Sequence, residues 1–266
     1  MDSLLISKSV RASVLKMTNK GKSSHVGSAL SCSDILSVLY TRVLDVEKIK
    51  IQSNNRDRFV MSKGHAGAAL YAVLAEVGII DKEILSTHYQ NGSNLSGHVS
   101  HKLLKGIEIS TGSLGHGLPI SIGMAYGLKI NKIDSNVFCL MSDGELDEGS
   151  NWEALLFGAH HNLRNLIVII DRNNLQSIKT TEETLALEPL DQKILSFGWD
   201  VHNVDGHNHI ELESTLKKAK SSLKPSLIIS QTTKGKGVSY MENSVLWHYR
   251  SPNNEELKNA LKEINS

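Results

Sequence analysis

The chain is poor in the features that mark secreted and membrane proteins. It has only two cysteines among 266 residues, Cys32 and Cys139, too few for a disulfide framework or a four-thiolate zinc site. Both have apolar neighbours, and we expect buried thiols. The first twenty residues lack a long apolar run and predict an amphipathic helix, not a signal peptide. The longest uncharged stretch, residues 109–128, contains five glycines and Pro119 and is too interrupted to span a bilayer. These absences predict a cytoplasmic protein without a membrane partner.

The chain also has no large excess of positive or negative charge. The 29 basic residues nearly balance the 28 acidic ones and leave a net charge of +1, so no general electrostatic attraction to nucleic acid is expected. A hydrophobic content of 40% suffices for a sizeable core. We find no repeat, low-complexity tract or linker, and we predict a single domain over residues 1–266. The polar, helix-prone segment after Pro252 is the only candidate tail.

The apolar pattern predicts alternating strands and helices. Residues 136–141 and 166–170 are short, continuously apolar runs, which suit parallel strands covered on both faces. Further strands are predicted at residues 58–61, 200–204 and 226–230, and helices at 4–18, from 33 onward, and at 66–77, 118–130, 152–160, 187–197 and 209–221. The glycine- and alanine-rich helix 118–130 indicates that something packs closely on it. The order predicts a doubly wound α/β fold, a mostly parallel sheet with helices on both faces.

Polar residues follow the two most apolar strands, at the edge where such folds bind ligands. Ser142-Asp143-Gly144 follows the first strand, and Asn173-Asn174 follows the second. Asp143 and Asn173 are 30 residues apart in the sequence, which corresponds to one strand–helix–strand unit. One carboxylate and one amide oxygen hold a metal poorly alone, but they suit Mg²⁺ shared with a diphosphate. Gly144 allows backbone N–H groups to approach that anion.

This segment has other interpretations. Asp143 could simply cap a helix, and this alternative stays open. An EF-hand is disfavoured because Glu148 and Ala154 occupy the positions of its required glycine and glutamate. The segment Gly112-Ser-Leu-Gly115-His-Gly117 is not a dinucleotide fingerprint, and Lys234-Gly-Lys-Gly237 is not a Walker A loop.

With these residues in place, the chain resembles the diphosphate-binding domain of the transketolase family, which uses thiamine diphosphate. The family signature, Gly-Asp-Gly followed about thirty residues later by Asn-Asn, is represented by Ser142-Asp143-Gly144 and Asn173-Asn174. Further family-like segments occur in the same order over nearly the whole chain: residues 23–27, 58–66, 96–98, 111–117, 148–154, 241–243 and 247–248.

The resemblance implies a metal and cofactor site. Asp143, Asn173 and the backbone carbonyl of Leu175 would ligate Mg²⁺, with Ca²⁺ as a possible substitute, and Gly144 would contact the diphosphate of the cofactor. Gly112 and Leu114 would line the thiamine, with Leu114 packing against it.

The resemblance also implies catalytic histidines. They would surround the reactive thiazolium carbon and the sugar, and they are His25, His65, His98 and His248. His65 would contact the cofactor as well. The thiazolium carbon acts as an electron sink for a two-carbon ketol unit, and histidine can take and return hydroxyl protons near neutral pH.

The other histidines are interpreted as structural or surface residues. They are His88, His101, His160, His161, His202, His207 and His209. The pairs 98 with 101 and 207 with 209 could each chelate a metal, but neither pair lies in a recognisable metal motif.

Two departures from the family pattern are present. Ser142 replaces the first glycine of the signature, and His116 stands where many relatives carry glutamine. A small hydroxyl at position 142 should be tolerated near a phosphate. Glu148 and Glu153 match family positions that lie at the subunit interface.

The resemblance finally implies a partner chain. Family members carry a pyrimidine-binding domain, whose glutamate activates the cofactor, and the sequence contains no segment for it. We therefore expect the N-terminal subunit of a split transketolase that transfers a ketol unit between phosphosugars. A separate C-terminal chain would supply the glutamate in a heterotetramer, and two copies of this domain would make a homodimeric contact. Three alternatives stay open: a related enzyme of a specialised sugar or polysaccharide pathway, a synthase that condenses pyruvate with glyceraldehyde phosphate, and a non-catalytic scaffold.

Overall fold

Helices and parallel strands alternate along the chain. The computed structural model describes residues 1–102 and 104–265. The strands are β1 (Arg58–Met61), β2 (Val137–Ser142), β3 (Leu166–Arg172), β4 (Asp200–Asp205) and β5 (Ser226–Gln231). The helices are α1 (Ser3–Gly21), α2 (Val26–Ser31), α3 (Ser33–Val38), α4 (Val46–Lys50), α5 (Gly67–Glu76), α6 (Gly117–Ile130), α7 (Gly149–His160), α8 (Thr181–Thr184), α9 (Leu190–Ser196), α10 (His209–Lys220) and α11 (Asn254–Asn265).

The strands form one sheet in the order β1-β2-β3-β5-β4, and every described pair is parallel. All the predicted strands are present within a residue or two of their expected bounds. The predicted doubly wound α/β fold is therefore confirmed. The short helices α2, α4 and α8 were not predicted, because segments of four to six residues carry too little periodicity to be recognised.

Two hydrophobic cores cover the two faces of the sheet. Along β2, Phe138 and Leu140 point into one core, and Val137, Cys139 and Met141 point into the other. This alternation follows from the two-residue period of a strand. Helices α1, α3, α5 and α10 contribute to the first core, and α6, α7 and α9 contribute to the second.

Both cysteines are free and buried, as predicted. Among the described helices, none combines the length and the apolar character that a bilayer crossing requires.

Helix α6 is less closely covered than its composition predicts. A Cβ atom added to Gly117 would lie 2.2 Å from Ser62 Oγ, so the start of the helix does approach β1 closely. At Gly123 and Gly127, however, an added Cβ atom would meet nothing within 4 Å. Ile120, on the same helical face, is exposed. Within the described chain, the expected close packing is therefore absent on this face.

The segment after Pro252 is not a tail. It forms α11, which packs against α1 and buries Ala260 and Ile264. The side chain of Asn19 in α1 donates a hydrogen bond to the carbonyl of Pro252 (2.8 Å) and so fixes the start of this segment. The polar composition was misleading because only a narrow apolar stripe of α11 faces the core.

We predict that Ile264→Ala will destabilise the fold. The side chain is 5% exposed, and truncation of a buried isoleucine typically lowers the free energy of unfolding by about 2–5 kcal/mol. Urea unfolding followed by circular dichroism measures the change. Lys258→Ala, at an exposed position of the same helix, should change the free energy by less than about 0.5 kcal/mol. An unchanged midpoint for Ile264→Ala would show that α11 does not contribute to the cooperative fold.

Candidate active site

The ends of β2 and β3 bring the two predicted metal-binding side chains to one edge. Ser142 is paired with Asp171 in the sheet register, so Asp143 and Asn173 leave the two strands nearly side by side. Both residues are buried, with exposures of 1% and 5%. Parallel neighbouring strands end at the same edge, and this geometry produces the juxtaposition that the sequence spacing indicated.

A cavity of about 250 Å³ lies at this edge and gathers the predicted site residues. Every predicted catalytic, cofactor-binding and metal-binding residue belongs to its lining: His25, His65, His98, Gly112, Leu114, Asp143, Gly144, Asn173, Leu175 and His248. The lining also contains Ser142, which replaces the first glycine of the signature. Six further lining residues were assigned no site role from the sequence: Ser28, Lys63, Gln176, Ser177, Lys234 and Tyr249. A larger groove of about 810 Å³ lies at the opposite edge of the sheet and is lined by none of the predicted residues.

Asp143 is held by three donors. Its Oδ1 atom accepts from the Gly144 N–H (2.8 Å), and its Oδ2 atom accepts from the Asn174 N–H (2.6 Å) and from Arg172 Nη1 (3.3 Å). Burial and the nearby charge of Asp171 raise the pKa of Asp143, and Arg172 opposes that shift. A further positive charge near Asp143 would stabilise the ionised form of its carboxylate.

The loop after β3 supplies two more oxygen atoms. The Oδ1 atom of Asn173 accepts from the Leu175 N–H (3.2 Å), and Asn174 has a left-handed backbone with φ 65°. Leu175 lines the cavity, and its carbonyl accepts from Lys234 Nζ (3.1 Å). Among the described residues, no group of three His, Cys, Asp or Glu side chains could hold a metal alone. One carboxylate, one amide and one carbonyl fit Mg²⁺ that takes its remaining ligands from a diphosphate and water.

Two buried lysines line the cavity. Lys63 is fully buried and ion-paired with Asp171, which keeps the pKa of Lys63 above its usual value although burial acts in the opposite direction. Lys234 is 1% exposed, has no carboxylate partner among the described contacts, and donates to the carbonyls of Leu175 and Gln176. Burial and the charge of Lys63 lower the pKa of Lys234 to about 8. An anion in the cavity would relieve this destabilisation.

The four predicted histidines meet in the same cavity. The ring centroid of His25 lies 5.1 Å from His65, 5.9 Å from His98 and 4.9 Å from His248. The backbone contributes to this arrangement, because the His25 N–H donates to the His248 carbonyl (2.7 Å) and His25 has a left-handed φ of 70°. Lys234 Nζ donates to His248 Nδ1 (2.9 Å), which leaves Nε2 as the protonated nitrogen of a neutral His248 ring.

Three of these rings are held neutral. Burial, followed by repulsion from His98 and Lys234, lowers the pKa of His25 to about 4. Burial and Lys234 lower the pKa of His248 to about 3, and burial and Lys63 lower the pKa of His65 well below its ordinary value. At neutral pH these imidazoles are therefore uncharged. His25 and His65 can accept hydrogen bonds from a bound ligand, whereas His248, with Lys234 on Nδ1, can donate from Nε2.

The loop that carries Gly112 and Leu114 is fixed by a buried glutamate. Glu145 accepts from the Gly115 N–H (3.1 Å) and the Ser142 N–H (3.4 Å), and Ser62 Oγ donates to it. Gly115 is itself closely confined, since an added Cβ atom would lie 2.6 Å from Glu148 Cβ. The carboxylate thus joins this loop to the end of β2.

Other residues singled out by the sequence lie outside the cavity lining. Glu148, Glu153 and His116 are exposed. His88 is buried beside Ser23, and the rings of His207 and His209 both contact Asp34.

The sequence did not identify Lys63 and Lys234 as site residues. Lys63 stands inside a segment that resembles the family, and Lys234 stands in a segment that fails to match a Walker A loop. The position of Lys234 just after β5, at the ligand-binding edge, was the signal that could have identified it.

Comparison with known proteins identifies the family of this chain. The family profile described as "Transketolase, thiamine diphosphate binding domain" matches residues 2–264. One subunit of the apulose-4-phosphate transketolase of Phocaeicola vulgatus is 43% identical over 258 residues, which cover 96% of this chain and 90% of that protein. The 6-deoxy-6-sulfo-D-fructose transketolase subunit SqwG of a Clostridium species is 38% identical over 256 residues, which cover 96% of this chain and 93% of that protein.

A solved structure extends the similarity to the fold. The transketolase of Campylobacter jejuni superposes with a TM-score of 0.92 at 32% identity, over 100% of this chain and 43% of that one. The present chain therefore spans less than half of the length of that enzyme. The resemblance inferred from the motifs is confirmed: the chain belongs to the transketolase family, in which it corresponds to the N-terminal, thiamine diphosphate-binding subunit of a transketolase-type enzyme.

Proposed function

We propose that this chain holds thiamine diphosphate and Mg²⁺ for the transfer of a two-carbon ketol unit between sugars or sugar phosphates. The observation that supports this most directly is the convergence of Asp143, Asn173 and the histidine cluster on one cavity with two buried lysines. Each of these groups of residues, taken alone, could have a purely structural role, such as helix capping or a hydrogen bond within a loop. Their combination provides metal ligands, anion-binding charge and proton acceptors in one place.

The cofactor would be bound from both of its ends. Asp143, Asn173 and the Leu175 carbonyl would hold the metal, and Gly144 allows the diphosphate to approach the backbone. A Cβ atom at Gly144 would lie 2.8 Å from Gln176 Cγ, so a side chain there would require Gln176 to move. Gly112 and Leu114 would line the thiamine. When bound, the cofactor supplies the electron sink for cleavage and formation of the carbon–carbon bond.

The histidines would handle the protons of the substrate. His25, His65 and His248 are neutral at pH 7 because their pKa values are lowered. His98 is exposed and lies at the side of the cluster, where a sugar would reach it from outside. Neutral imidazoles can accept a hydroxyl proton and later return it, which is the acid–base function that a ketol transfer requires.

The exposed apolar side chains around the cavity suggest where a partner chain would bind. Tyr249 lines the cavity and is 65% exposed, and Leu246 and Ile178, in the loops that line the cavity, are also exposed. We propose that a C-terminal transketolase subunit covers this rim and supplies the pyrimidine pocket and the activating glutamate. Residues 1–266 would form one domain of a cytoplasmic heterotetramer.

A second surface fits the contact between two copies of this chain. On α6, Ile120, Gly123 and Gly127 share an uncovered face, and on the adjacent α7, Leu156 and Phe157 are exposed. Small residues allow close helix approach, and apolar residues gain from burial. Glu148 and Glu153, both exposed in and before α7, would join the carboxylate network between two paired sites.

The names of the relatives favour a specialised substrate. Two of them are described as transketolase subunits for apulose-4-phosphate and for 6-deoxy-6-sulfo-D-fructose, and both are sugars outside the common pentose phosphates. We therefore keep a specialised sugar pathway as the second candidate. The non-catalytic scaffold is disfavoured by the complete set of metal, anion and proton-accepting groups in the cavity.

We predict that Asp143→Asn will abolish cofactor retention without unfolding the chain. The variant removes the one carboxylate among the proposed ligands, and we expect the affinity for thiamine diphosphate with Mg²⁺ to fall by at least about 100-fold. Calorimetric titration of the chain assembled with its partner subunit measures the affinity. Asp134→Asn, an exposed carboxylate at the opposite edge of the sheet, should bind normally. Unchanged binding by Asp143→Asn would place the metal elsewhere, and no binding by the unmodified protein would support the scaffold.

We predict that acidification will destabilise the ligand-free fold through the histidine cluster. An unfolded histidine gains a proton below about pH 6.5, whereas the pKa values of folded His25 and His248 are about 4 and about 3. This contribution to stability is fully present above about pH 6.5 and decreases as the pH falls to about 4 for His25 and to about 3 for His248. Urea midpoints at about pH 7.5, 6 and 5 measure the slope.

The matched variant for this prediction is His25→Asn/His248→Asn, which should show a shallower decrease of stability with falling pH. His160→Asn, at an exposed position of α7, should keep the slope of the unmodified chain. If the double variant keeps that slope as well, the cluster is not the source of the pH dependence.

We predict that ketol transfer requires a second polypeptide. The purified chain with thiamine diphosphate and Mg²⁺ should show no turnover with a panel of ketose phosphates, and addition of the C-terminal subunit should restore it. Tyr249→Ser, at the exposed rim, should raise the concentration of partner needed for half-maximal activity by about tenfold, as expected for loss of an aromatic interface anchor. Full turnover by the chain alone would refute the split-enzyme proposal.

A further inference from the structure

A buried carboxylate behind the cavity organises residues that are far apart in the sequence. Asp34, on α3, is 4% exposed and accepts two hydrogen bonds from Arg11, one from His207 Nδ1 (2.7 Å) and one from His209 Nε2 (3.0 Å). Burial alone would raise the pKa of Asp34, but the donors His207, His209 and Arg11 hold it far below the usual range. The carboxylate therefore remains charged and can orient its donors.

Two of these donors continue to one backbone turn. His207 Nε2 accepts from the Thr233 N–H (2.9 Å), and Arg11 Nε donates to the Lys236 carbonyl (3.1 Å). A backbone N–H can only donate, so Nε2 of His207 carries no proton. The proton of a neutral His207 is thus on Nδ1, facing Asp34, and the carboxylate fixes both the tautomer and the orientation of the ring.

The turn between these two contacts carries Lys234. The ammonium group of Lys234 reaches the cavity, where it lies 3.1 Å from the Leu175 carbonyl, 2.9 Å from the Gln176 carbonyl and 2.9 Å from His248 Nδ1. Two glycines with positive φ, Gly235 (81°) and Gly237 (93°), follow it. Glycine gives the turn its shape but leaves it many other conformations, so the position of the ammonium depends on contacts from outside the turn.

The second histidine provides an internal comparison. His209 donates to the same carboxylate, but its Nδ1 atom is paired with Ser3 Oγ (2.9 Å) at the start of α1. It touches neither Thr233 nor Lys236 in the described contacts. His207 and His209 therefore share Asp34 and differ in what lies on their other side: the Lys234 turn for one, and the beginning of α1 for the other.

We propose that Asp34, acting through His207, positions the Lys234 turn and thereby fixes the cation that an anionic ligand meets in the cavity. His207 is a positioning residue, since it contacts the backbone of the turn and not the cavity itself. The proposal rests on the proposed function to the extent that the anion is the diphosphate of a metal-bound cofactor. The position of Lys234 in the ligand-free protein is independent of that assumption.

The experiment compares His207→Asn, His207→Gln and His209→Asn, each assembled with the partner chain. An asparagine amide lies near the Nδ1 position of histidine and can still donate to Asp34, but it leaves the Thr233 N–H unpaired. A glutamine amide reaches the Nε2 position and can accept from that N–H. His207→Asn should weaken thiamine diphosphate binding in the presence of Mg²⁺ by about fivefold or more, which corresponds to one hydrogen bond. His207→Gln, which regains the Thr233 bond but loses the bond to Asp34, should restore only part of the affinity.

A second readout follows Lys234 directly. In the ligand-free protein, the rate of amine acetylation at Lys234, measured by mass spectrometry, should rise about fivefold or more in His207→Asn and take an intermediate value in His207→Gln. His209→Asn should lower the urea midpoint by removing a bond to Asp34, but it should change neither cofactor affinity nor Lys234 acetylation.

The outcomes separate the two proposals. If His207→Asn and His209→Asn change acetylation and binding equally, the network acts only on stability and the positioning role is wrong. The same conclusion follows if His207→Asn leaves acetylation at the wild-type rate. If acetylation responds as expected but the unmodified assembly binds no thiamine diphosphate, the positioning role stands and the proposed cofactor is wrong.

Discussion

The site depends on two buried ionisable groups, Asp143 and Lys234, whose charged forms are both destabilised in the ligand-free chain. Burial and Asp171 disfavour the ionised form of Asp143, as its raised pKa shows. Across the same cavity, burial and Lys63 disfavour the ionised form of Lys234, as its lowered pKa shows. A single cation would stabilise the ionised form of Asp143 but further destabilise the charged form of Lys234, and a single anion would do the reverse. A metal bound to a diphosphate brings both charges together, and it satisfies both groups at once.

The same argument links cofactor binding to the histidines. Lys63 and Lys234 contribute to the low pKa values of His25, His65 and His248. An anion that neutralises the lysines would weaken this repulsion and bring the histidines closer to their ordinary range. Burial, reinforced by the lysines, thus keeps the histidines uncharged in the ligand-free cavity, and a bound anion would remove the part of the effect that is due to the lysines.

The predictable parts of the site are those that depend on local order along the chain. Asp143 and Asn173 follow strands that the apolar pattern identifies, and neighbouring parallel strands must end at one edge. The histidines were placed by the family resemblance, since nothing local distinguishes His65 from His88.

The prediction failed where polar composition hid a packed element: α11 resembles a tail in composition, although Ile264 inserts against Gly237 and α11 packs on α1. Contacts between distant segments escaped prediction as well, because only the three-dimensional path of the chain brings together residues such as Lys63 and Asp171, which are 108 positions apart, or Asp34 and His207, which are 173 apart.

The glycines of α6 carry a different kind of information. Glycine inside a helix costs roughly 0.5–1 kcal/mol relative to alanine, and Gly123 and Gly127 gain no close contact within the described chain to offset that cost. At Gly117 the contact is present, because Ser62 leaves no room for a side chain. The fold of this chain therefore explains the glycine in the first turn of α6. Its later turns lie on the surface proposed above for the contact between two copies of this chain, where the side chains of Ile120 and Phe157 are also exposed.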